Sequence, residues 1–160
     1  MKISNLPKGA WKNRLLLLLL LTYGTGFFIM AFLQTAPQMA WYETLKRSSL
    51  TPPGYVFSIV WSILYFLIAL SACIVWNKSS NHSKGLFYGQ LFAQIMWSYS
   101  FFYTHSVWAG FAVLVLLTLL IVLMIRNFYQ YSKTASVLLL PYLFWSIFAS
   151  YLNFMTAYLN

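Results

Sequence analysis

The chain has 160 residues, of which 61% are hydrophobic, 21% aromatic and only 7% charged. A soluble domain has about a quarter of its residues charged, so this composition excludes a water-soluble protein and predicts an integral membrane protein. The formal net charge is +9, but the aromatic residues lie inside the apolar runs and not in a basic groove. We therefore expect no nucleic-acid partner.

Five apolar stretches follow one another along the chain, each close to the ~20 residues that cross a membrane as a helix. They cover residues 15–33, 54–77, 86–104, 107–127 and 135–158, and a long outer loop occupies 34–53. No room is left for a soluble domain. The sequence therefore predicts a single all-α domain over residues 1–160, an integral membrane bundle of five transmembrane helices.

The first apolar stretch has two interpretations. Lys2, Lys8, Lys12 and Arg14 precede it, and basic residues before an apolar run are also typical of a secretory signal. The run continues through TYGTGFFIMAFL and ends at QTAPQ, which is a poor cleavage site. We favour a retained transmembrane helix over a cleaved signal.

The distribution of Lys and Arg predicts the orientation in the membrane. After five crossings, the N-terminal side holds eight basic residues and the opposite side two. The eight are Lys2, Lys8, Lys12, Arg14, Lys78, Lys84, Arg126 and Lys133; the two are Lys46 and Arg47. Because basic loops stay in the cytoplasm, we expect a cytoplasmic N-terminus and an outer C-terminus in a bacterial plasma membrane. Anionic headgroups make membrane lipids expected partners.

The loop at 34–53 is far longer than the usual ~4–6 residues. It contains Glu43, the only acidic residue of the chain, together with Trp41 and Tyr42. Two interpretations stay open, an aromatic anchor at the membrane interface and a lid over a cavity between the helices. At its end, Thr51 in TPPG is expected to cap the second helix, with the prolines in its first turn.

The sequence lacks the parts of conventional catalysis. Cys73 is solitary, so it forms no disulfide, and we interpret it as a packing residue. His82 and His105 have no carboxylate or cysteine nearby, so we expect no metal site and no required cofactor. The predicted spans contain no carboxylate, which disfavours a transporter coupled to an ion through an intramembrane acid.

Small, amide and aromatic residues recur at helical spacing on three of the predicted helices. These sets are Phe57, Trp61 and Tyr65; Gly85, Gly89 and Ala93 beside Gln90, Gln94, Trp97, Ser98 and Phe101; and Tyr142, Trp145, Ala149, Leu152 and Asn153. Ordinary packing and interhelical hydrogen bonds explain such stripes. The alternative is a cavity for a flat, mostly apolar ligand with few polar anchors.

Three segments, WYETLKRSSLTPPGYVFSIVWSILY, QLFAQIMWSYSFF and PYLFWSIFASYLNF, resemble the translocator protein family, also called TspO or tryptophan-rich sensory protein. The resemblance extends over essentially the whole chain. It implies a five-helix membrane protein, a homodimer, that binds porphyrin, haem or other apolar ligands such as lipids in a cavity opening toward the first loop. The tetrapyrrole is then a ligand for sensing, sequestration or transport.

The resemblance also implies the positions of the ligand site and of the dimer contact. The expected ligand-binding residues are Leu50, Phe57, Trp61, Gln94, Trp97, Ser98, Phe101, Trp108, Trp145, Ala149 and Leu152. The expected dimer interface is the stripe of Gly85, Gly89 and Ala93 on the third helix.

One departure bears on enzymatic activity. Some bacterial members of the family are linked to light- and oxygen-dependent porphyrin degradation through a loop tryptophan, and this chain has Leu50 at that position. A leucine side chain cannot be oxidised as an indole can. We therefore expect a binding protein without catalytic residues, and keep the porphyrin-degrading enzyme as the alternative.

Overall fold

The computed structural model describes residues 9–160, and within this range the chain is helical, with no strand. Lys2 and Lys8, which enter the predicted orientation, lie outside the described residues. The elements are α1 (Ala10–Phe28), continued by a π-helical turn (Ile29–Leu33); α2 (Ala36–Thr44); α3 (Gly54–Val75); α4 (Asn81–Ser98), continued by a second π-helical turn (Tyr99–Tyr103); α5 (Val107–Tyr129); α6 (Lys133–Leu138); and α7 (Leu140–Leu159).

Four helical segments are long and apolar enough to cross a membrane. They are Ala10–Leu33, Gly54–Val75, Val107–Tyr129 and Lys133–Leu159. The third predicted span is helical, as α4 and its π turn, but it is not among these four. The physical reason is its polarity, because α4 begins with NHSK and carries Gln90 and Gln94 in its middle.

The connection at 34–53, predicted as a loop, contains the nine-residue helix α2. Thr35 takes the N-cap position and its side chain contacts that of Gln38. Pro37 lies in the first turn, where its missing N–H loses no helical hydrogen bond. The helix is only partly buried, which is why hydrophobic periodicity does not reveal it.

Helix α3 begins at Gly54, as predicted, but Thr51 does not cap it. Pro53 occupies the N-cap position, and no side chain caps the helix. Pro52 and Pro53 therefore both precede the helix instead of forming its first turn. Pro53 has a φ of −56° and a ψ of 149°, so the chain is extended up to the first helical residue. Pro53 also disfavours the helical conformation for Pro52, the residue before it.

Polar bonds tie helix ends together at one end of the bundle. At the end where α4 begins, the Ser83 hydroxyl donates to Asn127 Oδ1 over 2.5 Å, which joins α4 to α5. The Ser71 hydroxyl donates to the Ala135 carbonyl over 2.6 Å, which joins α3 to α6. The buried core includes fully buried side chains from α1, α3, α4, α5 and α7: Leu18, Ile68, Phe87, Leu117, Ile121, Met124 and Tyr142.

Helices α1 and α3 approach closely at Gly26. A Cβ atom placed on Gly26 would lie 2.5 Å from Cε2 of Tyr65. The Tyr65 ring is buried and packs against Tyr23 at 5.7 Å and Trp61 at 5.5 Å between ring centroids. It therefore has little freedom to move away from a larger residue on α1.

We expect Gly26→Ala to lower the free energy of unfolding by about 1–3 kcal/mol, the usual cost of overpacking. Gly24→Ala is the matched control, since a Cβ atom there meets nothing within 4 Å and alanine is the better helix former. Thermal unfolding of both variants in one detergent gives the comparison. Equal stability of the two variants would contradict the close contact.

Candidate functional site

A cavity of about 270 Å³ lies at the end of the bundle where α2 sits, between α1, α3, α4, α5 and α7. We call it the main cavity. Its lining is mostly apolar and aromatic: Met30, Gln34, Met39, Tyr42, Arg47, Thr51, Pro52, Gly54, Phe57, Ser58, Trp61, Trp97, Phe101, Phe102, Leu114, Leu117, Trp145, Ala149, Leu152, Asn153 and Thr156. Cavities of this character, with few polar groups, are typical of small-molecule sites.

The chain from α2 to the start of α3 covers this cavity. The Trp41 ring stacks on the His105 ring, with 4.1 Å between the ring centroids. The Tyr42 ring packs against the rings of Phe101 and Phe102, with centroid distances of 6.0 and 5.6 Å. Tyr42 and four further residues of the segment 36–53 line the cavity. Of the two interpretations of the long loop, this geometry favours a lid, because its aromatic residues pack on the helices and close the cavity.

The two π-helical turns contribute side chains to the same cavity. The first supplies Met30 and is followed by Gln34, and the second supplies Phe101 and Phe102. Gln34, which follows the first turn, donates from Nε2 to Oγ of Ser98, which precedes the second turn, over 3.2 Å. This hydrogen bond connects the two regions across the bundle. A π turn adds a residue to one helical turn and re-aims the following side chains, and such turns are frequent at functional sites.

Asn153 of α7 lines the main cavity and connects neighbouring helices through hydrogen bonds. The Trp97 indole N–H donates to Asn153 Oδ1 over 3.1 Å. The Asn153 amide in turn donates to the carbonyl of Val107 over 2.9 Å. Three helices are thus joined through one side chain, and the orientation of the Trp97 ring toward the cavity is fixed.

A side cavity of about 340 Å³ adjoins the main one, between α1, α3 and α4. The two share the lining residues Met30, Gln34, Phe57, Ser58, Trp61 and Trp97. Each volume lies near the lower end of the ~300–1,000 Å³ of ligand pockets. The shared side chains therefore lie at the boundary between the two cavities.

A polar cluster lies beside the side cavity. Gln94 Nε2 donates to Gln90 Oε1 and to the Tyr142 hydroxyl oxygen, both over 2.7 Å, and the Tyr142 hydroxyl donates to Gln90 Oε1 over 2.8 Å. All three side chains are buried. Within the described residues, Gln94 Oε1 and Gln90 Nε2 have no partner, and neither has the indole N–H of Trp145.

Most of the predicted ligand-binding residues line these cavities. Phe57, Trp61, Trp97, Phe101, Trp145, Ala149 and Leu152 line the main cavity. Gln94 lines the side cavity, and Ser98 lies behind Gln34 as its hydrogen-bond acceptor.

Leu50 and Trp108 lie elsewhere. Leu50 is 60% exposed and Trp108 is 57% exposed, and neither lines either cavity. Trp108 instead packs edge-on against Phe111 and Phe154 at the surface of the bundle.

Sequence reasoning missed the contributions of α1 and of the lid. Met30 belongs to a predicted span in which no periodicity distinguishes an inner face, and Gln34 is the first residue of the predicted loop. Tyr42 and Arg47 line the cavity because of how the lid folds back. Tyr142 and Asn153 had a usable signal, since both lie on the strip of α7 that also carries Trp145.

The predicted dimer stripe divides in the structure. Ala93 is only 4% exposed and lies in the hydrophobic core of its own chain, so its side chain is not available on the surface. Gly85 is exposed and Gly89 half-buried, and a Cβ atom placed on either meets nothing within 4 Å. Only the two glycines therefore remain for a contact with a second chain.

Among residues 9–160, no group of three or more His, Cys, Asp or Glu side chains could hold a metal ion.

The sequence model of the TspO/MBR family matches residues 16–159. A tryptophan-rich protein TspO of Archaeoglobus fulgidus is 36% identical over 149 residues, covering 91% of this chain and 94% of that protein. A tryptophan-rich protein TspO of Chlorobaculum tepidum is 42% identical over 129 residues, covering 78% and 82%. The translocator protein of Bos taurus is 28% identical over 135 residues, covering 81% and 80%.

We expect Tyr142→Phe to destabilise the protein by about 1 kcal/mol, because both amides of the polar cluster lose a hydrogen-bond partner. Tyr158→Phe is the matched control on the same helix, since that side chain is 71% exposed. Unfolding of the two variants by heat in one detergent measures the difference. If both behave as the wild type, the polar cluster does not stabilise the contact between α4 and α7.

Proposed function

The chain belongs to the TspO/MBR family of membrane proteins, and we propose that it binds tetrapyrroles, such as porphyrin or haem, or similar apolar ligands. The ligand occupies the main cavity and is held there for sensing, sequestration or transport. One observation carries the proposal, namely a lidded apolar cavity to which three different helices each contribute a tryptophan.

The three tryptophans suit a flat aromatic ligand. Trp61 of α3, Trp97 of α4 and Trp145 of α7 line the cavity, and their indoles offer large apolar faces at low conformational cost. Trp145 packs edge-on against Phe57 at 5.6 Å, so its ring is positioned before a ligand arrives. Leu114 and Leu117 of α5 complete an apolar wall.

The membrane arrangement that accompanies this function has five spans. Besides the four long apolar helices, we assign α4 with its π turn as a further span, the third in chain order. Its polar side chains Gln90 and Gln94 are buried against the other helices and do not face lipid. The basic residues near the start of α4 and the end of α5 favour a cytoplasmic N-terminus in a bacterial plasma membrane. A homodimer would use the open surface at Gly85 and Gly89.

The ligand proposal is tested by titrating the protein in phosphatidylcholine nanodiscs with protoporphyrin IX and with haemin. Binding is followed by quenching of tryptophan emission and by the porphyrin absorbance. We expect Trp145→Phe to raise the dissociation constant about threefold to tenfold, because an aromatic contact is reduced. Trp108→Phe is the matched control, because this tryptophan is exposed and does not line the cavity.

If neither tetrapyrrole quenches tryptophan emission at micromolar concentration, the proposed function is wrong. Equal effects of the two tryptophan substitutions would place the ligand outside the main cavity. Spectra are recorded in the dark and after illumination, because loss of the porphyrin absorbance in light would indicate the porphyrin-degrading alternative.

The orientation is tested with single cysteines in a Cys73→Ala background. We expect Ser49→Cys to react with a membrane-impermeant maleimide in intact cells, and His82→Cys to react only after lysis. Both positions are exposed, so accessibility across the membrane decides the outcome. Labelling of both positions in intact cells would place them on the same side of the membrane. That result would contradict the assignment of α3, the helix between them, as a single membrane span.

A further inference from the structure

Among the described residues 9–160, Arg47 is the only charged residue that lines the main or the side cavity. The remaining lining consists of apolar, aromatic and neutral polar side chains. The single acidic residue of the chain, Glu43, is exposed and lines neither cavity. The positive charge at the cavity is therefore not neutralised by a carboxylate of the cavity lining.

The Arg47 side chain stacks on the ring of Tyr42, another residue of the lid. Its guanidinium carbon lies 4.7 Å from the centroid of the Tyr42 ring. Tyr42 packs in turn against Phe101 and Phe102, which belong to the π turn after α4. A cation over an aromatic face is attracted by the ring, and stacking leaves the edge of the planar guanidinium free to donate hydrogen bonds.

The backbone beside Arg47 is attached to α7. The Lys46 N–H donates to Asn160 Oδ1 over 3.0 Å, and the Asn160 amide donates to the Lys46 carbonyl over 2.9 Å. The same amide donates to the carbonyl of Thr156, a residue of the cavity lining, over 2.7 Å. This pair of bonds positions the lid segment, and with it Arg47, at the rim of the cavity.

We propose that Arg47 binds a carboxylate at the edge of the ligand, so that the site selects flat apolar molecules that carry an acidic group. This inference rests on the proposed function of the main cavity. The apolar part of the ligand contacts the tryptophans, and the carboxylate faces the lid and water. A guanidinium presents paired N–H donors that match the two oxygens of a carboxylate.

The contribution of this contact is moderate because the Arg47 side chain is itself exposed. Ion pairs in contact with water are worth at most about 1 kcal/mol, which corresponds to about fivefold in a dissociation constant. The attraction between exposed charges also weakens as salt is added. Arg47 is thus expected to select between ligands that share the same apolar body and differ in charge.

The test compares protoporphyrin IX with its dimethyl ester, which has the same ring but no free carboxylate. Both are titrated against wild type and Arg47→Gln in phosphatidylcholine nanodiscs, whose lipid has no net charge. The measured quantity is the ratio of the dissociation constants of the two probes, determined for each protein. Each probe partitions into the lipid to the same extent whichever protein is present, so this effect cancels when the ratios of different proteins are compared. Lys46→Gln is the control, since it removes the same charge from the neighbouring residue, which does not line the cavity.

We expect Arg47→Gln to weaken binding of the free acid about threefold to fivefold and to leave binding of the ester unchanged. Lys46→Gln should keep the wild-type ratio, and raising the salt concentration should bring the wild-type ratio toward that of Arg47→Gln. An unchanged ratio in Arg47→Gln, or an equal change in Lys46→Gln, would overturn the inference. Failure of both probes to bind wild type would instead overturn the proposed function, because the ester tests the cavity without the carboxylate.

Discussion

The arrangement of the bundle depends on the hydrogen bonds that the polar side chains on the inner face of α4 make with α7. Gln90 and Gln94 lie one turn apart on a helix surrounded by apolar residues, where a polar group without a partner is costly. Both bond to Tyr142, and Trp97 bonds to Asn153 further along the same two helices. Because every one of these bonds connects α4 to α7, they fix the face that α4 turns inward. That face forms one wall of the two cavities.

The position of the lid at its end of the bundle follows from this wall. The second π turn continues α4 and carries Phe101 and Phe102, and these two rings are the surface on which Tyr42 of the lid packs. On the other side, Asn160 holds the backbone of Lys46 through a pair of hydrogen bonds. The lid is therefore attached to α4 by aromatic packing and to α7 by polar bonds, so its position depends on the same two helices that enclose the cavity.

Features of the fold that arise from long apolar runs were predictable from the sequence. Features that depend on tertiary contacts were not. Four helices meet the criterion of length and apolarity, whereas α4 does not, because its inner amides lower its hydropathy. The α2 helix was predicted as a loop because it is short and draws its support from rings distant in the sequence. Thr51 has the chemistry of a cap, but Pro52 and Pro53 keep the chain extended until Gly54, so the helix begins too late for Thr51 to cap it.

Under the proposed function, the cavity would separate recognition of shape from recognition of charge. Its walls come from the helices and are neutral, with the three tryptophans as the largest flat surfaces. Its rim comes from the lid, where Arg47 carries the charge and Leu50 is exposed and does not belong to the lining. Since Leu50 adds no aromatic surface to the cavity, the lid would contribute to the proposed recognition through the Tyr42–Arg47 pair. A change in the lid would then alter which ligand edges are accepted without altering the aromatic walls proposed to hold the body of the ligand.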